Sequence, residues 1–373
     1  MRIGIIGCGA ISESYIQSLP RFRGMEINAC ADLNRGMAER LSNAYGIRRL
    51  TVTDLLQAPD VDLVLNLTSA DAHYAVGREV LLAGKHLYSE KPLALTFEQA
   101  RTLQDLAVKH RRGLGVAPDT FLTAPYQQAR AILESGQLGK VSFATCRVMN
   151  RGAESRRHPH IDTQYYEGQG PLVHQGPYCI STLVSLFGAV QRVSALSLRS
   201  EPVRRARGGN GEELVFDVKC QTTYQALLVF ENELHVSLTL SWDVWSEGSS
   251  AIEIFGTQGA LKLPDPSNYT GALELSMSPG GAQQVRDDES FYVAGATTQK
   301  QAEDFYRGLA LADMIRALRE GGAYRCSDFL GVHVVEVLEA IDQAAQDGSV
   351  LEMKTGCISP QQLTTIDVED LLA

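Results

Sequence analysis

Apolar positions from Met1 to about Thr120 fall into short runs separated by helical periods. Arg2–Ile6, Glu26–Ala31, Leu63–Leu67, Lys85–Ser89 and Gly113–Ala117 predict strands, and Ile11–Leu19, Arg35–Tyr45, Ala75–Ala83 and Phe97–Lys109 predict helices. Apolar strands joined by helical stretches indicate βαβ units, hence an α/β domain with a doubly wound parallel sheet covered on both faces. From about Val141 the period changes. Val141–Val148, Val190–Leu198, Lys219–Phe230, Leu234–Trp242, Ala251–Gly256 and Gly259–Leu263 are rich in β-branched or aromatic residues. Several of them alternate, as an antiparallel sheet with one solvated face requires. Glu231-Asn232-Glu233 is a hairpin turn candidate, Tyr178–Phe187 an apolar helix, and Gln299–Glu320 and Asp328–Asp347 long helices. Arg204–Glu213 and Asp265–Gly281, polar and rich in Gly or Pro, predict loops. The expected division is a doubly wound domain over 1–122 and an α+β domain over 123–373.

Composition narrows the classes of function. Of 373 residues, 34 are Lys or Arg and 44 Asp or Glu, a net charge of −10. That balance disfavours nucleic-acid backbones and anionic membrane surfaces as partners. No run approaches the roughly 20 apolar residues of a spanning helix. Ile5-Ile6-Gly7-Cys8 resembles a lipoprotein cleavage site, but Met1–Gly4 is too short for a secretory signal, so a buried strand is expected there. Seven scattered cysteines without a CxxC pair suit reduced thiols in a cytoplasm. No metal site is expected: His158, His160 and His174 lack a carboxylate or cysteine at ligand spacing.

Gly4-Ile5-Ile6-Gly7-Cys8-Gly9-Ala10-Ile11-Ser12 occupies the first strand-to-helix turn. Gly7 permits a tight turn, Gly9 lets backbone N–H groups approach a pyrophosphate, and Ser12 replaces the third glycine of a GxGxxG pattern with a small residue. Asp32 ends the second strand, where a ribose-binding acid belongs. Its carboxylate can accept both adenosine-ribose hydroxyls but repels a 2′-phosphate, which favours NAD over NADP, although Arg35 lies nearby. The plain alternative is a sheet of this type that binds nothing.

Three segments, Gly7-Cys8-Gly9-Ala10-Ile11, Thr68-Ser69-Ala70-Asp71-Ala72-His73 and Ala83-Gly84-Lys85-His86-Leu87-Tyr88-Ser89-Glu90-Lys91-Pro92, resemble the Gfo/Idh/MocA family. Ala117-Pro118-Asp119-Thr120-Phe121-Leu122, Gly176-Pro177-Tyr178 and Ile252-Glu253-Ile254-Phe255-Gly256-Thr257 extend the likeness through the chain. The resemblance implies an N-terminal Rossmann domain and a C-terminal domain with an open, mostly antiparallel sheet that binds substrate and packs homodimers or homotetramers. It also implies pyridine-nucleotide redox chemistry on a sugar, glycoside or polyol hydroxyl. Gly7, Gly9, Ala10, Ile11, Asp32, Thr68, His73, Glu90 and Lys91 fall at cofactor positions, although His73 could equally cap local backbone.

Moving a hydride from a carbinol carbon needs a base at the hydroxyl proton and a cation near the developing alkoxide. The resemblance assigns the second task to Lys91, with a cis Lys91–Pro92 bond. Where the family commonly reads Asp-x-Gly-x-His-x-x-Asp, this chain has His174 at the first acid, Tyr178 at the histidine and Ser181 at the last acid. Four residues apart, His174 and Tyr178 share a helical face, with Tyr178 expected as acid/base and His174 as substrate ligand or relay. Asp119 is expected to face the substrate. The plainer readings are a surface lysine, a histidine bonded in a helix end and a core tyrosine. The Arg204-Arg205-Ala206-Arg207 run reads as a solvated turn or, with Arg156 and Arg157, as a receiver of an acidic sugar. Tyr165 and Tyr166 could stack on a sugar or lie in a solvated loop, and Trp242 and Trp245 could be core or cleft wall. The expected function is an NAD(P)-dependent sugar or polyol dehydrogenase. The alternatives are a redox-assisted eliminating glycosidase and a non-enzymatic NAD-binding regulator.

Overall fold

The computed structural model describes residues 1–155, 161–208, 211–245, 251–277, 281–285 and 305–373. In its first unit, β1 (Arg2–Ile6), β2 (Glu26–Ala31), β3 (Arg48–Arg49), β4 (Leu63–Asn66), β5 (His86–Ser89) and β6 (Leu114–Val116) form a sheet ordered β3-β2-β1-β4-β5-β6. Every pairing in it is parallel. The central strands β1, β4, β5 and β6 are almost wholly buried, as a sheet covered on both faces requires, and α1 (Ala10–Ser18), α2 (Arg35–Tyr45), α3 (Val52–Gln57), α4 (His73–Leu82) and α5 (Phe97–His110) connect the strands. The order reverses between β1 and β4, which marks the carboxyl ends of those strands as the ligand crevice of a doubly wound sheet.

In the second unit, β7 (Val141–Met149), β8 (Val190–Leu198), β11 (Thr223–Phe230), β12 (His235–Ser241), β13 (Ala251–Gly256), β14 (Gly259–Leu263), β15 (Leu273–Met277), β16 (Gly281–Val285) and β17 (Leu351–Glu352) form one sheet. Its order is β16-β15-β14-β13-β7-β12-β11-β8-β17, antiparallel except where β7 meets β12. Against β7, β11 and β12 packs α7 (Pro171–Phe187); α6 (Ala124–Glu134) precedes β7. A separate hairpin joins β9 (Val203–Arg207) to β10 (Glu213–Asp217). The C-terminal helices are α8 (Leu309–Glu320), α9 (Asp328–Asp347) and α10 (Thr365–Leu371). Compactness assigns Met1–Ala124, the described part of Asp288–Val335 and Pro360–Ala373 to the first unit. Pro125–Asp287 and Glu336–Ser359 make the second, so the chain returns to its first unit late, which a cut at residue 122 does not capture.

Several elements differ from expectation. The stretch Arg204–Glu213, expected to be a loop, begins within strand Val203–Arg207 and ends at the first residue of strand Glu213–Asp217, and Leu273–Met277 is a strand inside the other stretch expected to be irregular. The helix expected to begin at Tyr178 begins at Pro171 and runs through Pro177. Proline suits a first helical turn, whereas within a helix it loses one backbone bond. The helix expected over Gln299–Glu320 is broken among the described residues: Phe305 and Tyr306 are helical, Gly308 at φ 98° interrupts, and α8 begins at Leu309; residues 299–304 lie outside them.

Candidate active site

All the first-unit candidates stand at the carboxyl ends of the parallel strands: Gly7 after β1, Asp32 after β2, Thr68 after β4, Lys91 after β5 and Asp119 after β6. Gly7 has φ 99°, and a Cβ there would stand 2.6 Å from the Leu67 carbonyl, so only glycine lets the β1 and β4 turns lie together. Around Gly9 nothing lies within 4 Å of where a Cβ would be. No side chain caps α1, whose first residues, Ala10 and Ile11, are exposed and half-buried. A helix start with room above it and N–H groups to satisfy suits a pyrophosphate. Asp32 is half-buried, its Oδ2 accepting from Cys8 N at 2.7 Å and its Oδ1 from Asn34 N at 2.7 Å. Each oxygen keeps a lone pair for a ribose hydroxyl. These residues fit a dinucleotide.

The Lys91 turn is held from beneath. The Lys91–Pro92 bond is cis and Lys91 is half-buried. Its N–H donates to Glu90 Oε2 at 3.0 Å, while Glu90 Oε1 accepts from Tyr15 OH at 3.0 Å and lies 3.5 Å from Arg307 Nη1. Glu90, expected among the cofactor ligands, therefore turns its carboxylate into the protein, where a buried acid finds donors. His73 also turns inward. Its Nδ1 lies 2.6 Å from Pro92 O and its Nε2 3.0 Å from Thr68 O, so of the two readings the backbone contact is the one observed. Asp119, expected as a substrate ligand, is 2% exposed, and its Oδ2 accepts from Gly308 N at 3.1 Å and Ala310 N at 3.5 Å. It serves the start of α8, whose unsatisfied N–H groups attract a carboxylate.

In the second unit α7 is buried along most of its length and half-buried at six positions, among them His174 and Tyr178, the pair four residues apart. The His174 ring packs against Trp242, with centroids 5.6 Å apart and planes at 31°. Trp242 is thus core on one side and a support for His174 on the other. Behind it lies a charged cluster. Arg204 donates from Nη1 to Glu154 Oε1 at 2.8 Å and to the Trp242 carbonyl at 3.0 Å, and from Nη2 to Asp243. Burial pushes the Asp243 carboxyl up, but the hydroxyls of Ser200, Thr223 and Thr222 and the Arg204 guanidinium outweigh it and hold it below its usual range. Arg204 is no solvated turn; it is 8% exposed and neutralised by two carboxylates, which leaves it no charge for an acidic sugar. Arg156, Arg157, His158 and His160 lie outside the described residues. Among the described residues no group of three His, Cys, Asp or Glu could hold a metal, and no helix is long and apolar enough to cross a membrane.

Sequence reasoning missed Asn66, Tyr15 and Arg307. A clue for Asn66 was available: it is the one strongly polar residue in the apolar strand Leu63–Leu67, and a buried amide there must bind its neighbours.

Both halves of the chain match one family. The "Oxidoreductase family, NAD-binding Rossmann fold" model covers residues 1–117 and the "GFO/IDH/MocA C-terminal domain" residues 126–262. The chain belongs to the GFO/IDH/MocA family and is an NAD-dependent oxidoreductase. Among its relatives, an inositol 2-dehydrogenase/D-chiro-inositol 3-dehydrogenase of Shouchella clausii is 31% identical over 272 residues, 71% of this chain and 72% of that protein. An inositol 2-dehydrogenase of Burkholderia cenocepacia is 24% identical over 356 residues, 94% and 95% of the two chains. A levoglucosan dehydrogenase solved with NADH and L-sorbose superposes with a TM-score of 0.80 over 95% of this chain and 99% of that one; at 19% identity the likeness is one of fold.

Proposed function

We propose that the protein oxidises a secondary hydroxyl of a cyclic polyol or sugar, passing the hydride to NAD and a proton to its own side chains. The observation that carries this reading is the half-buried Lys91 at the carboxyl ends of the same parallel strands as the Gly7–Gly9 cradle. The polyol class follows from the inositol dehydrogenase that is 31% identical. The amides of Gly9, Ala10 and Ile11 hold the pyrophosphate, Asp32 takes the adenosine ribose and Thr68 stands on the nicotinamide side. The bound nicotinamide supplies the hydride acceptor. The Lys91 ammonium donates to the reacting oxygen and favours its alkoxide character. Tyr178 takes the hydroxyl proton as the carbonyl forms, and His174, one helical turn away, passes it on. The reverse reaction returns the proton by the same route.

Turnover by purified protein, followed as reduced nicotinamide across inositols, sugars and glycosides, tests the class. Lys91→Ala and Tyr178→Phe are expected to lose on the order of 10²–10⁴ in kcat, with NAD affinity nearly unchanged. Near-normal kcat in both would remove the assigned roles. Seven buried free thiols support a cytoplasmic setting. An apolar stripe on the second unit's sheet supports a homo-oligomer.

A further inference from the structure

His73 opens α4 with both ring nitrogens against backbone carbonyls, Nδ1 on Pro92 at 2.6 Å and Nε2 on Thr68 at 3.0 Å. The first carbonyl belongs to the turn that carries Lys91, and the second to the loop that leaves β4. These two segments are far apart in sequence and adjacent only because β4 pairs with β5, Asn66 opposite Ser89. The ring between them is 1% exposed. Asn66 closes the set. Its Oδ1 accepts from Thr68 N at 3.3 Å and Thr68 Oγ1 at 2.7 Å, its Nδ2 donates to the His73 carbonyl at 3.2 Å, and its own carbonyl accepts from Glu90 N at 2.9 Å.

We propose that His73 is a positioning residue: its imidazole ties the Lys91–Pro92 turn to the start of α4, and so sets where the Lys91 ammonium stands, without touching substrate. The inference rests on the reading of Lys91 as the residue that binds the reacting hydroxyl. A lysine side chain has four rotatable carbons and no rigidity of its own, so its reach is only as well defined as its backbone. A neutral imidazole carries one N–H and can donate to one carbonyl only. Burial pushes the His73 pKa down, against the Pro92 carbonyl, the Glu90 carboxylate and the Thr68 carbonyl, and the Lys91 charge adds to the lowering. Assigned to the shorter contact, at Pro92, that single proton makes the bond that bears on Lys91.

The test compares His73→Leu, which fills the space without a donor, with His73→Asn, which keeps one. Misplacing a catalytic group by about 1 Å can cost roughly 100-fold. The kcat of His73→Leu should fall by about that factor while NAD affinity stays within about threefold, and His73→Asn should recover most of the loss. Single-turnover rates in a Lys91→Ala background separate this role from a merely structural one: His73→Leu should add almost nothing once the lysine is gone. An unchanged kcat in His73→Leu overturns the proposal. So does an equal loss in both backgrounds, or NAD affinity falling in step with kcat. If His73→Leu does not fold, His73→Asn decides: a wild-type kcat supports the clamp, and a kcat as low as that of Lys91→Ala counts against it. Should Lys91→Ala turn over normally, the reading of Lys91 fails; an inactive Lys91→Ala beside an active His73→Leu sinks the clamp alone.

Discussion

Gly7 and Gly9 lie two residues apart in one turn and are glycine for different reasons. An alanine methyl at Gly7 would meet the Leu67 carbonyl at 2.6 Å on a backbone at φ 99°, so Gly7→Ala should cost about 1–3 kcal/mol of stability in the apoprotein. A methyl at Gly9 meets no protein atom within 4 Å, so Gly9→Ala should melt like the wild type. It should nonetheless bind NAD at least about tenfold more weakly, because the methyl stands where the pyrophosphate must approach. Melting curves and NAD titrations on both variants check the contrast; normal NAD affinity in Gly9→Ala would mean the cradle lies elsewhere. His86 offers a pH-dependent test at the same scale. Its Nδ1 accepts the Gly113 N–H at 2.8 Å, which requires an unprotonated nitrogen, and burial, followed by the Arg112 charge, lowers its pKa from the ordinary 6.5. Below about pH 6.5 the unfolded chain therefore binds more protons than the folded one, and stability falls until the folded pKa is passed. Above that range His86 contributes no slope. His86→Asn should flatten the acid limb of the melting temperature below about pH 6.5; an unchanged slope would assign the limb to other groups, of which the buried His73 is one.

At the scale of the element, legibility followed how local each signal was. Glycines, Asp32 and the turn that bears Lys91 are written in short contiguous motifs, and they stand at the strand ends where those motifs predict. The contacts of His73 and Glu90 were less legible, because Pro92, Tyr15 and Arg307 lie in other segments of the chain and nothing beside His73 or Glu90 in sequence encodes which segment packs there. The hairpin of β9 and β10 was missed for a different reason. Its inward positions on β9 are Arg204 and Ala206, so the alternation that announces a strand is inverted by a buried charge. That inversion makes a prediction. Removing the guanidinium leaves Glu154 and Asp243 buried beside one another, their side chains only 11% and 18% exposed. Breaking such a pair typically costs about 3–5 kcal/mol. Arg204→Met should lose stability of that order in denaturant unfolding, whereas Arg207→Met, exposed on the same strand, should stay within about 0.5 kcal/mol of wild type. Equal, small effects would return Arg204 to the solvated surface. The Trp242 carbonyl is one of the groups Arg204 holds, so the variant should also loosen the ring that packs on His174.

For the whole molecule, charge and apolar surface pull in opposite directions. A net charge of −10 makes copies repel at long range, and added salt screens that repulsion. The second unit's sheet nevertheless exposes an apolar stripe. Leu227 on β11 pairs with Ser194 on β8, two residues before Leu196, and with Ser237 on β12; Ser237 pairs with Thr145 on β7, two residues beyond Phe143. Because paired residues share a face and side chains alternate along a strand, Leu196, Leu227 and Phe143 all point the same way. They are 70%, 58% and 48% exposed, and Phe143 stacks on Phe255 at 4.7 Å. Burying a leucine is worth about 1.5–3 kcal/mol, and in a two-fold interface each is buried twice. If this face joins copies of the chain, the double variant Leu196→Glu, Leu227→Glu should sediment as a smaller species than the wild type. It should still bind NAD, because the cradle belongs to the first unit and its strand ends are untouched. Salt should strengthen association of the wild type, since screening the shared negative charge leaves the apolar contribution intact. A wild type that sediments as a monomer at micromolar concentration, or a double variant of unchanged size, would show that this face does not join copies of the chain.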